Sequence, residues 1–144
     1  MSLATFQNPP FEDITDPSVG IVCGHAWGES VEVLLLDHPE AQLVEDEADI
    51  QEYVVPKPFG FCGLETYIFF RYQLDVLIAI SLRWGLSEEP LIDEACARCV
   101  ASYVQRTFSE ELVESDEGFF QAEELSTRLM IDWMDNRLVF EEVL

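Results

Sequence analysis

Charge is segregated along this chain, and that segregation limits the folds open to it more than any other feature. Residues 1–56 carry twelve acids and no Lys or Arg, residues 57–108 carry six acids against five bases, and residues 109–144 carry eleven acids against two. The formal net charge of -22 therefore falls almost wholly on the two flanks, while the middle is nearly neutral and strongly apolar. Unpaired carboxylates are costly to bury, so the flanks must supply surface and the middle must supply core. With 49% hydrophobic residues, ten Phe and three Trp, the composition is that of a packed globule and not of a disordered polyanion. A chain of 144 residues buries about 70% of the surface that its unfolded form exposes. The reading is one domain over residues 1–144, with 1–17 irregular because Pro9 and Pro10 interrupt any helix there.

The opening MSLATFQNPPFEDITD has no basic stretch followed by a long apolar run, so no secretory signal is expected and the chain reads as cytoplasmic. The most apolar segment, YIFFRYQLDVLIAISL, is broken by Arg71, Gln73 and Asp75 and falls short of the roughly 18 to 20 apolar residues of a membrane span. In that setting Cys23, Cys62, Cys96 and Cys99 are expected as reduced thiols, acting as small hydrophobes, with no disulfide.

Three short runs rich in Val, Ile and Leu (SVGIVCG, VEVLLLD and EYVVP) predict strands near 19–24, 31–36 and 51–56. Between the last two, Asp37 as N-cap and Pro39 in the first turn predict a short acidic helix. VPKPFGFCG reads as loop. From Leu64 to Trp84 the polar positions and the Arg71–Asp75 spacing suit a mostly buried helix, although the alternation of Arg71, Gln73 and Asp75 also admits a strand. LSEEPLIDEACARCVASYVQRTF predicts a helix with Ile92, Ala95, Cys96, Cys99, Val100 and Tyr103 on its inner face. FQAEELSTRLMIDWMDN predicts another, burying Leu125, Leu129 and Trp133 against Val100 and Tyr103, and RLVFEEVL a closing strand. The fold class expected is α+β: a small, mostly antiparallel sheet packed with about three main helices.

No stretch carries a defensible active site. Cys96 and Cys99, with Cys23 and His25, could offer four soft ligands, but a pair on the inner face of a core helix is expected to pack and not to bind zinc. GHAWGES places His25, Trp27, Glu29 and Ser30 in a turn where catalytic groups are often found, yet no triad or metalloprotease motif accompanies it. EDEADIQE lacks the glycine that an EF-hand loop needs. Phosphate-binding glycine loops are missing from the sequence, and Lys57 is its single lysine, so nucleotide and nucleic-acid binding are disfavoured. The expectation is no catalytic residue, no metal and no cofactor.

The acid itself remains to be explained. Solubility calls for a net charge of about 2 to 8 in magnitude, well short of -22. Adaptation to molar salt fits one lysine against six arginines, but fits ten Phe and four Cys less well. A basic partner fits the sign, since complementary charge steers association. The expectation is an acidic protein that inhibits or neutralises a basic, nucleic-acid-handling enzyme, in part as a mimic of its polyanionic substrate. Its size and charge are those of immunity proteins of nuclease toxins and phage anti-defence inhibitors, with no motif tying it to either. The contact surface is expected to comprise Glu40, Glu45, Asp46, Glu47, Asp49 and Glu52, with Glu110, Glu111, Glu114, Asp116 and Glu117 from the second acidic segment. A small acidic chaperone or adaptor acting as a homodimer is the second reading, and an enzyme using the His25 loop the third.

Overall fold

Two-residue turns dominate the chain's local geometry, and they turn it into hairpins. Cys23-Gly24, Cys62-Gly63 and Leu74-Asp75 all have positive φ at both positions. That is the backbone required by the tight turns whose twist matches antiparallel strands. The structure, a computed structural model, describes residues 20–86, 92–108, 113–114, 120–124 and 127–142.

The elements begin with β1 (Ile21–Val22) and β2 (His25–Ala26), which form a small hairpin of their own, followed by α1 (Val31–Asp37). Then come β3 (Gln42–Glu47), β4 (Ile50–Val54), β5 (Phe59–Phe61), β6 (Leu64–Gln73) and β7 (Val76–Trp84). The helix α2 (Glu94–Phe108) leads to β8 (Val113–Glu114), β9 (Phe120–Glu124), β10 (Thr127–Asp132) and β11 (Arg137–Glu142). Strands β3 to β11 make a nine-stranded sheet in the order β3-β4-β6-β7-β11-β10-β9-β8, with β5 paired to the start of β6. Every pairing is antiparallel, so the sheet is two meanders joined where β7 meets β11.

The core lies on one face of this sheet. Alternate residues Ile68, Phe70, Ile80, Leu82, Leu138, Phe140, Leu129 and Ile131 pack there with Leu34 of α1 and Val100, Tyr103 and Val104 of α2. The ring of Phe61 meets that of Tyr103 edge-on at 5.2 Å. A disulfide joins Cys62 in the β5–β6 turn to Cys99 on α2, clamping the helix to the sheet.

The expected α+β fold with about three main helices is corrected: strands dominate, and two helices occur among the described residues. The expected strand at 31–36 is α1, where the side chain of Asp75 caps the first turn by accepting from the backbone N–H of Val31 at 3.0 Å. The acidic helix expected after Asp37 is strand β3, and Asp37 ends a helix instead of opening one. The buried helix expected over 64–84 is the β6–β7 hairpin. The second amphipathic helix is β9 and β10, with Trp133 half-buried in the following turn, 5.8 Å from the ring of Trp84; Leu125 and residues 1–17 lie outside the described residues. The helix expected from LSEEPLIDEACARCVASYVQRTF, the strand near 51–56 and the closing strand match α2, β4 and β11 to within a few residues. The expectation of four reduced thiols also fails, since Cys62 and Cys99 are bonded; Cys23 and Cys96 are buried thiols outside that bond. No helix among the described residues is long and apolar enough to cross a membrane.

Candidate functional site

The acids singled out in the sequence divide into four groups. Glu45, Asp46 and Glu47 lie on β3, and Asp49 on the turn to β4. Among the described residues strand β3 pairs only with β4, and no described strand lies on its other edge. Asp46, Glu47 and Asp49 are exposed and have no Lys or Arg partner among the described residues, whereas Glu45 is half-buried, 3.6 Å from Arg71. The acids do not stand alone on this edge: Leu43 is 47% exposed, and Val44, which forms a bulge there, 51%.

Glu52 belongs to the second group, because it is buried and serves the fold. Its carboxylate accepts from Arg83 Nη2 at 2.9 and 2.8 Å and from Arg71 Nε at 3.2 Å. Arg83 in turn lies over the ring of Phe69, 4.0 Å from its centroid. These residues sit on the sheet face opposite the core. Cross-strand register lines up Glu45, Glu52, Arg71, Ala79, Glu141 and Arg128 there, and Arg128 closes on Glu141 at 2.9 Å. A parallel row holds Arg83, Arg137 and Asp132. Four of the chain's seven basic residues therefore occupy one face, beside a cavity of about 390 Å³. Glu110, Glu111, Asp116 and Glu117 form the third group and lie outside the described residues; Glu114 is on β8, its side chain likewise outside them.

Glu40 belongs to a cluster that the sequence reading left undeveloped. His25, on β2, is 2% exposed. Its Nδ1 lies 3.0 Å from Glu29 Oε2, and its Nε2 lies 3.2 Å from Oδ2 of Asp37, at the end of α1. The next residue, His38, brings its Nε2 to 3.4 Å from the same Asp37 oxygen and its Nδ1 to 3.4 Å from Glu40 Oε1. The local fold holds these groups firmly. Gly28 donates to the carbonyl of Leu77, and Leu77 N–H donates to the carbonyl of Glu29 at 2.9 Å, stitching the loop to β7. Trp27 Nε1 donates to Thr127 Oγ1 at 2.8 Å, and the His25 ring meets Phe70 edge-on at 5.1 Å. The sequence places His25 and Glu29 in one turn with Trp27 and Ser30; the return of α1, which delivers Asp37 and His38, is hidden when 31–36 is read as a strand.

No family model matches the chain, and no curated protein matches it either. A solved structure of a cysteine-rich secretory protein from Staphylococcus aureus superposes with a TM-score of 0.48 at 8% identity, covering 95% of this chain. The chain spans about half of that protein's length, 50%.

Proposed function

We propose that this protein is an acidic binding module that engages a basic protein through the edge of β3 opposite β4, and that a nucleic-acid-handling enzyme is the class of partner it fits best. The observation that carries the reading is the composition of that edge. Asp46, Glu47 and Asp49 are exposed without a cationic partner among the described residues, and Leu43 and Val44 are exposed beside them. Charge on a rim steers encounter and apolar side chains at the centre supply affinity, so the two together make an interface where charge alone makes only a solvated face. An unpaired strand edge adds main-chain hydrogen bonds for an extended segment of the partner. Glu52 drops out of the surface because Arg71 and Arg83 already consume its charge.

The same edge weighs against homodimerisation, the second reading. Two copies of β3 side by side would bring Glu45, Asp46 and Glu47 against their counterparts, and like charges directly opposite destabilise a strand pair. The cytoplasm expected from the sequence is where such enzymes reside. The Cys62–Cys99 bridge pulls the other way, since disulfides persist in oxidising compartments; the reading rests on the surface and not on the compartment.

The test is affinity capture from a lysate of the source cells at low and high salt. Wild type is compared with Glu45→Gln/Asp46→Asn/Glu47→Gln/Asp49→Asn, and with a control of equal charge, Glu32→Gln/Glu94→Gln/Asp135→Asn/Glu142→Gln. A specific basic partner should be held by wild type and the control, lost by the β3 variant, and released by high salt. Equal capture by both variants would reduce the acidic edge to a solvated face.

A further inference from the structure

The arrangement of Glu29, His25, Asp37, His38 and Glu40 poses a problem of lone pairs. A neutral imidazole has one N–H and one acceptor nitrogen. In the neutral tautomers whose Nδ1–H faces Glu29 at 3.0 Å in His25 and Glu40 at 3.4 Å in His38, both Nε2 atoms are acceptors. Yet both face the same oxygen, Asp37 Oδ2, at 3.2 and 3.4 Å. In those tautomers three lone pairs converge on one point, a clash that either a proton on the imidazoles or a metal ion between them relieves, and no Lys or Arg pairs with Glu29, Asp37 or Glu40 among the described residues. Convergent acceptors call for a cation between them.

The distances suit a metal ion. Nitrogen and oxygen ligands at about 2.0–2.1 Å in a tetrahedron stand about 3.3 Å from one another. The two separations to Asp37 Oδ2 fall on either side of that value, and ligand atoms of all three residues lie within 4.8 Å of one another. His38, about one-third exposed at the end of α1, has freedom to close the remaining gap. A carboxylate on the far nitrogen of each histidine is the usual outer support of a metal-bound imidazole, fixing the tautomer and orienting the ring. Here Glu29 and Glu40 occupy both of those positions.

We propose that His25, Asp37 and His38 form a binding site for a divalent transition-metal ion of the zinc type, with Glu29 and Glu40 as its outer carboxylates. Two imidazoles and one carboxylate favour zinc over calcium or magnesium, which prefer sets made wholly of oxygen. His25 is buried, while Asp37 is 60% exposed, so the fourth position opens to solvent and accepts a water or a ligand from a second molecule. The site uses none of the β3 residues and stands or falls independently of the partner reading.

The test titrates zinc chloride into the full chain after chelator treatment, by isothermal calorimetry and native mass spectrometry, with cobalt(II) as a coloured substitute. His38→Ala and Asp37→Asn are the informative variants because these side chains are exposed enough to change without loss of fold, which circular dichroism checks. Cys23→Ser/Cys96→Ser controls for thiol binding. One zinc per chain is expected in wild type and in the cysteine variant, with a tetrahedral cobalt spectrum, and both signals should disappear in His38→Ala and Asp37→Asn. Glu29→Gln should weaken zinc binding about 10- to 100-fold. Failure of wild type to bind stoichiometric zinc would overturn the proposal. So would several weak sites that His38→Ala leaves unchanged, the behaviour of a diffuse polyanion.

Discussion

The carboxylate of Glu52 sits between two guanidinium groups, with both of its oxygens engaged and almost no water around it. Removing one member of a buried ion pair leaves the others desolvated without a counter-charge, at a cost of about 3–5 kcal/mol when all are fully buried. Arg71 and Arg83 keep part of their surface in water, so Glu52→Gln is expected to cost roughly 2–3 kcal/mol in urea denaturation. A loss under about 0.5 kcal/mol would mean that the arginines find other acids. Tyr72 behaves oppositely. Its hydroxyl is buried without a hydrogen-bond partner among the described residues, and burial first, then the charges of Glu29, Tyr53 and Asp75, push its pKa above the usual 10.0. The unfolded chain then releases this proton first, so the stabilising contribution is complete below about pH 10 and declines as pH rises further. Tyr72→Phe should flatten that alkaline decline. At neutral pH it should leave stability equal or up to about 1 kcal/mol higher, since an orphaned polar group is removed.

At the level of elements, the sequence was legible where one side of an element faces water, and misleading where neither does. The helix α2 has a dry face and a wet one, and its pattern predicts it. Strands β6 and β7 blur theirs: Phe70 and Ile80 face the core, but Tyr67 and Phe69 put aromatic rings on the opposite face as well, Phe69 buried beneath Arg83. Burial still alternates along most of β6, but the residue types do not follow it, and what remains in the sequence resembles a buried helix. The signals that would have revealed hairpins were the Cys-Gly pairs at 23–24 and 62–63 between apolar runs. The candidate metal residues were individually visible, but their convergence depends on α1, a seven-residue helix whose Val and Leu content favours a strand and which a capping carboxylate from another turn secures. The disulfide gives this scale its prediction. Closing a loop with a sequence separation of 37, it should stabilise the fold by about 4 kcal/mol on the chain-entropy relation. Cys62→Ser/Cys99→Ser should lower the denaturation midpoint accordingly, with reductant then having no further effect.

For the whole molecule, self-repulsion among 29 acids against seven bases opposes compaction. Stability is expected to rise steadily with sodium chloride as the screening length falls from about 30 Å at 0.01 M to about 3 Å at 1 M. A melting temperature that is flat across that range would show the excess charge to be spaced too widely to matter. The seam between the two meanders has a different consequence, one of time. Hairpins β3–β4, β6–β7 and β10–β11 each close over a few residues, but β7 can meet β11 only after α2 and three further strands have been spanned. Pairings distant along the chain form late, after local ones have lowered the entropy of closing the intervening loop. The centre of the finished sheet is therefore the last part of it to assemble. Substitutions at Leu82 or Leu138, which face each other across the seam, should accelerate unfolding far more than they slow refolding. Until that zipper closes, β7 presents an open apolar edge, and the nascent chain's own negative charge is what keeps neighbouring copies from pairing with it.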